Sequence, residues 1–355
     1  MTERSKTPVT SGSHGTAVVA RLAVLLAAAT PLLASTVAPP VQPRPRTGER
    51  RTLDQVYALV RQRRFAEAQA LWQPVASRVQ AEVRAASGRS LPPAAGQQLQ
   101  GRFAEVVFVQ GLLEARLGRR EDALRQLRQA DGYGFPPLDS PLMFLAAECL
   151  LELQEPALAA QALRGLVKAA PANTEARLRL GVSLYAGGRL AEAEDEIREV
   201  LRRQADQPQA EYYLGRVLLE QKRGVEARRH LERELLRDGR CVGCMAGLAQ
   251  LAYLDGDDRV CESWLAKAKA LDPEAAETDL VYGMLYNRTD RPALAVEHLS
   301  RVVERAPSFA TAQYQLAIAY QRAGDPVKAR EHREIYDRLI AEQKARNLGV
   351  RGSEP

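Results

Sequence analysis

One spacing constrains this chain more than any other feature. Small residues at Ala147, Gly181, Gly215, Ala249, Gly283 and Ala317 recur every 34 residues, and a second series runs twelve positions behind them: Ala159, Ala193, Ala227, Cys261, Ala295 and Ala329. Turn chemistry lies between the two series. Gly188, Gly256 and Gly324 stand where a helix must end in a left-handed conformation, and Pro156, Pro292 and Pro326 stand where the next helix opens and a missing amide proton costs nothing. One helical turn after the second series come Leu163, Ile197, Leu231, Leu265 and Leu299, on the same helix face. Pro171, Pro273 and Pro307 close the second helix. Each unit therefore reads as a helical hairpin.

Two antiparallel helices approach closely only where side chains are small, which predicts Gly215 opposite Ala227 and Gly283 opposite Ala295. A larger residue at Ala227 or Ala295 would overpack that contact. One hairpin cannot cover both of its apolar faces, so hairpins stack and the array grows as a superhelix. Composition agrees: 46% of residues are hydrophobic but only 5% aromatic, with Ala and Leu dominant, which favours helix over strand.

These residues resemble the tetratricopeptide repeat, whose pattern has a small residue at position 8, Gly near 15, Ala at 20, an apolar residue at 24 and Pro at 32. The resemblance implies an all-α fold, a right-handed superhelical solenoid of antiparallel helix pairs, and it keeps unbroken phase over residues 140–340, six units including a C-terminal capping helix. It departs from the pattern at Gly239, where Pro is usual, and at Arg333, where an apolar residue is usual. The latter predicts a polar-backed cap with Ile335, Tyr336, Leu339 and Ile340 facing inward, followed by a tail at 341–355. Residues 52–139 read as looser repeats that keep Ala68 and Trp72, then Gly111, Gly118, Ala123 and Leu127. Ala68 to Ala123 spans 55 residues, about 20 more than one period, and 88–96 (GRSLPPAAG) reads as an exposed loop in that insertion.

The N-terminus reads as a targeting segment over residues 1–38. Arg4, Lys6 and Arg21 precede an apolar run from Leu22 to Leu33, broken by Pro31, with Thr36 and Ala38 suiting a cleavage site. The alternative is a signal anchor spanning residues 22–38. Residues 39–51, rich in Pro and Arg, read as an extended linker, with the folded part starting near Thr52. The chain is therefore expected to be exported, to the periplasm or outside the cell, and to touch a membrane only through that anchor. Of the formal charge of +6, residues 1–50 supply +4, from six basic and two acidic side chains. The rest is interleaved along helices as a solvated surface, which argues against a nucleic-acid partner.

The sharpest local signal is Cys241-Val242-Gly243-Cys244. Haem attachment would need His after the second cysteine, where Met245 stands, and zinc would need further ligands beside the pair. In an exported protein a disulfide joins Cys241 to Cys244, or one of them to Cys261; a thiol-exchange role is the other reading, without thioredoxin-like strands around it. Cys149 and Cys261 occupy positions that normally hold Ala and read as buried free thiols. His230, His298 and His332 share position 23 of successive or more distant units. Helices about 10 Å apart would keep them from sharing a metal, so they read as surface residues. No phosphate loop, nucleophile elbow or His-Glu-x-x-His run is present, so no catalytic residue, cofactor or metal is expected.

The resemblance further implies that first helices line a concave face. Its exposed positions map here to Phe144, Glu148, Leu178, Tyr185, Tyr212, Arg216, Tyr253, Met284, Asn287, Arg288, Tyr314, Gln321 and Arg322. Tyr and Arg are effective anchors for an extended peptide or a helix. The Asn and Lys clamp that some members of the family use for chaperone tails is not matched, since position 9 holds Glu148, Val182, Arg216, Gln250, Met284 and Ile318. The expectation is a non-enzymatic interaction scaffold or assembly adaptor of the cell envelope. The alternative is a redox-linked factor in maturation of exported thiol proteins, using Cys241 and Cys244.

Overall fold

The structure, a computed structural model, describes residues 48–86, 92–135 and 140–351. Among these residues there are sixteen α-helices and no strand, and the chain divides into two compact units between Gln207 and Pro208. The expected leader, anchor and linker at 1–47 lie outside the described residues. Among those described, no helix is long and apolar enough to cross a membrane.

In the unit ending at Gln207, four hairpins follow one another: α1 (Glu49–Arg61) with α2 (Phe65–Ala86), α3 (Pro93–Arg116) with α4 (Arg120–Gly132), α5 (Ser140–Glu152) with α6 (Pro156–Ala169), and α7 (Thr174–Ala186) with α8 (Leu190–Arg203). The extra residues of the looser repeats are absorbed into long helices, α2 with 22 residues and α3 with 24. Part of the expected 88–96 loop is thus corrected. Its last four residues, 93–96, form the first turn of α3, opened by Pro93, and 88–91 lie outside the described residues.

The unit beginning at Pro208 has four more hairpins: α9 (Ala210–Glu220) with α10 (Gly224–Arg237), α11 (Val242–Asp255) with α12 (Asp258–Leu271), α13 (Ala276–Arg288) with α14 (Pro292–Arg305), and α15 (Ala310–Arg322) with α16 (Pro326–Arg351). Here the first helices α9, α11, α13 and α15 pack side by side in order. Over the expected tail at 341–355, α16 continues without a break to Arg351, and 352–355 lie outside the described residues. Ile335, Tyr336, Leu339 and Ile340 on it are half-buried.

Every member of the second small series is buried, as are Leu163, Ile197, Leu231, Leu265 and Leu299. Where the first small residue is glycine, its closest contact is the residue at position 24 rather than the expected Ala. A Cβ at Gly215 would lie 2.8 Å from Leu231 Cγ, and one at Gly283 would lie 2.3 Å from Leu299 Cγ, so each glycine makes room for the leucine at position 24. The Ala227 carbonyl oxygen, at 3.3 Å, is the next neighbour of Gly215. Gly111 against Leu127 and Gly181 against Ile197 repeat the arrangement.

The turn between helices repeats more strictly than its residues do. Gly188, Gly256 and Gly324 have φ of 76°, 81° and 83°, and the same register position is left-handed at Gln154 (64°), Lys222 (63°) and Asp290 (57°). The hairpin geometry imposes this conformation whether or not glycine is present to adopt it freely.

Candidate functional site

In the unit beginning at Pro208, the row of first helices is joined by contacts that skip a hairpin. Arg216 on α9 is buried and its Nη1 lies 3.2 Å from Glu277 Oε2 on α13, while the Tyr212 hydroxyl lies 3.5 Å from Glu277 Oε1. Burial pushes the Glu277 carboxyl above its ordinary range, against the opposing pull of the Arg216 charge and the Tyr212 hydroxyl. To reach α13, Tyr212 passes over the start of α11, where Gly243 leaves room: a Cβ there would be 2.8–2.9 Å from the Tyr212 ring and hydroxyl. That glycine lies between Cys241 and Cys244, which are joined by a disulfide with a Cα–Cα distance of 5.2 Å. Cys241 caps α11, its Sγ accepting from the Cys244 amide at 3.2 Å; Cys244 is buried and Cys241 is half-buried.

Seven residues after Gly243, and so on the same stripe of α11, stands Gln250. It is 1% exposed, and neither its Oε1 nor its Nε2 has a hydrogen-bond partner in the structure. One turn further, the Tyr253 ring carries the Arg288 guanidinium 3.8 Å from its centroid, and Arg288 also donates to the Tyr253 carbonyl and to Asp258. The next unit repeats the device, with Arg322 donating to the Asn287 carbonyl. Each arginine thereby donates to a carbonyl in the last turn of the preceding first helix, and the Tyr253 carbonyl accepts from the Gly256 amide as well.

Of the residues expected on an exposed inner face, Arg288, Gln321 and Arg322 are exposed, and Phe144, Tyr253 and Tyr314 are half-buried. Leu178, Tyr185, Tyr212, Arg216, Met284 and Asn287 are buried, which corrects the expectation for them. Tyr212 and Arg216 are engaged with Glu277, Asn287 donates to Gln315 at 2.9 Å and 3.0 Å, and Met284 belongs to the apolar core. Tyr314 packs on Tyr336 of α16. Phe144, Leu178 and Tyr185 belong to the other unit, where Phe144 carries Arg179 at 4.5 Å.

The histidines are also corrected. His230, His298 and His332 are partly buried, and each Nδ1 meets a residue 19 positions earlier: Glu211 at 2.5 Å, Asp279 at 2.7 Å and Gln313 at 2.6 Å. They tie the second helix of a hairpin to its own first helix. The signal was legible, since in the three units with histidine at position 23, position 4 holds Glu211, Asp279 or Gln313, each able to bond it. Among the described residues, no group of three or more His, Cys, Asp or Glu side chains comes together as a metal site.

A family model described as tetratricopeptide repeat matches residues 108–174, 150–208, 178–240 and 283–342. No curated protein matches the sequence. Among solved structures, a tetratricopeptide repeat protein from Parabacteroides merdae is similar with a TM-score of 0.54 and 14% identity, covering 76% of this chain and 98% of its own. A monomeric mutant of IFIT1 with Gppp-AAAA is similar with a TM-score of 0.52 and 17% identity, covering 81% of this chain and 72% of its own. At these identities the likeness is one of fold.

Proposed function

This chain belongs to the tetratricopeptide repeat family, and on that premise we propose that it is a non-enzymatic interaction scaffold or assembly adaptor of the cell envelope, holding a protein segment against the first helices α9, α11, α13 and α15. The observation that carries this reading is Gln250. A buried amide with no partner costs about 1–3 kcal/mol, and Gln presents one donor group and one acceptor, the pair that a peptide main chain complements once it displaces the side chains that cover it. Tyr253 under Arg288 and the exposed Gln321 and Arg322 supply contact area and donors on the same row. The envelope location rests on the leader-like segment at 1–38.

The test uses protein lacking residues 1–38 with a photo-crosslinking residue at Gln321, and in parallel at Arg229 on the second helix α10. A defined envelope protein should crosslink from position 321 and not from 229, and Gln250→Leu should weaken that crosslink while leaving the fold at least as stable. Equal crosslinking from both positions, or an unchanged yield in Gln250→Leu, would sink the reading.

The position of Cys241 favours a second reading, a redox-linked factor in maturation of exported thiol proteins. A cysteine at a helix N-terminus is the setting that favours a thiolate. A reduction potential below about −300 mV, the range of structural disulfides, would remove it.

A further inference from the structure

The Cys241–Cys244 bridge and the inner face are joined by direct contact. Gly243, held between the two sulfurs, is the floor on which the Tyr212 ring rests; the Tyr212 hydroxyl reaches Glu277; Glu277 pairs with Arg216. The first turn of α11 thus decides where Tyr212 can lie, and Tyr212 helps to fix a charge pair that ties α9 to α13. The two cysteines are unequal: Cys244 is fully buried, while Cys241 at the cap is half-buried. The residues leading into it, Asp238, Gly239 and Arg240, are exposed, and Gly239 stands where a helix-closing proline would stiffen the chain in most units.

We propose that the Cys241–Cys244 bridge is a thiol–disulfide exchange site, opened by a dithiol reductant, whose state is read out by the Tyr212–Glu277–Arg216 arrangement on the inner face. The meaning of that readout for a bound partner rests on the scaffold reading above; the readout itself does not.

The chemistry balances. A thiolate of the dithiol attacks Sγ of Cys241, the less buried of the two cysteines; the bridge breaks, and its electron pair goes to Cys244 Sγ, which takes a proton. The reductant is then joined to Cys241 as a mixed disulfide. Its second thiolate attacks its own sulfur of that bond and releases Cys241 as a thiolate, which the amides and dipole of the α11 N-terminus favour. The bridge has gained two electrons and become a thiol at Cys244 and a thiolate at Cys241, and the dithiol has lost two and become a disulfide.

With the bridge open, the first turn of α11 is held at Cys241 only by hydrogen bonds, from the Cys244 amide to Sγ and from the Met245 amide to the Cys241 carbonyl, and it can fray. Gly243 then no longer supports Tyr212, and the contact with Glu277 loosens.

Amide hydrogen exchange on the full chain tests this without any partner. A small dithiol poised near the thioredoxin potential, about −270 mV, is expected to open the bridge while the protein stays folded. Exchange in residues 210–220 and 276–288 should then quicken by about fivefold, the factor that loss of one net hydrogen bond gives. Tyr212→Phe keeps the ring but removes the link to Glu277, so reduction should no longer speed exchange at 276–288. Gly243→Ala should reproduce the oxidised-to-reduced change with the bridge still closed. The proposal is overturned if the dithiol leaves the bridge closed, or if the exchange change is confined to residues 240–246. An exchange response together with unchanged crosslinking in Gln250→Leu would leave the exchange site standing and remove the scaffold reading. The reverse pair of results would remove only the exchange site.

Discussion

His298 Nδ1 lies 2.7 Å from Asp279 Oδ1, tying α14 to α13 across the hairpin they form. Lys269 of the preceding hairpin reaches the same oxygen at 2.7 Å, so one fully buried carboxylate oxygen serves two donors. Burial works against charge on Asp279, but the bonds from His298 and Lys269 outweigh it and hold the carboxyl below its usual range. A folded-state pKa below the unfolded value of about 3.9 contributes stability that is complete above that value and is lost as pH falls through the folded one. Asp279→Asn should cost about 1.5–3 kcal/mol near neutral pH, the range for hydrogen bonds to charged groups. In urea titrations the gap between variant and parent should hold from about pH 7 down to about 4 and narrow below that. A gap that stayed constant would show that the charge on Asp279 contributes nothing.

The left-handed turn predicts which substitutions stabilise. Lys222→Gly and Gln154→Gly place glycine where φ is already 63° and 64°, and each should raise stability by about 0.5–1 kcal/mol. Gly256→Ala, at φ 81°, should lower it by about 1 kcal/mol. Thermal midpoints of the three variants, ordered otherwise, would show that the turn does not carry this strain.

Close packing sets the sign at Gly215. Its Cβ would meet Leu231 Cγ and Cδ2 at 2.8 Å and 2.9 Å, and Leu231 is fully buried between helices. Gly215→Ala should therefore cost about 1–3 kcal/mol by overpacking, although alanine is the better helix former. Adding Leu231→Val should recover part of that loss in a double-mutant cycle, because it shortens the side chain the new methyl strikes.

The free thiols should be silent. Burial pushes Cys149 and Cys261 up to about 12. Near pH 8 almost none of either is thiolate, the form that reacts. Iodoacetamide should label neither in the folded protein and both after unfolding, as read by intact mass. Labelling in the native state would show that the hairpins holding them open locally.

Much of the fold was legible in the chain because hairpin packing writes itself at fixed intervals. Gly283 and Leu299, or Gly181 and Ile197, are sixteen residues apart in every unit, so local spacing and tertiary contact coincide. The lengthened helices α2 and α3 were not legible, because Ala- and Gln-rich helix continues through an insertion without any periodic mark. The state of the inner face was legible only in part. Register placed Tyr253, Arg288 and Arg322 on it, and it also placed Tyr212, Arg216 and Asn287 there without showing that they are buried.

The sequence by itself determined the repeat, its phase, the helix boundaries set by Pro156, Pro292 and Pro326, and the positions of the small and large residues within a hairpin. All of these are interactions between residues at most one period apart. What only the tertiary structure decided is how units two apart meet: that Tyr212 crosses α11 over Gly243, that Glu277 receives it together with Arg216, and that Gln250 is left buried without a partner. Such contacts depend on the angle at which successive hairpins stack, which is the sum of many small packing terms and is carried by no single residue.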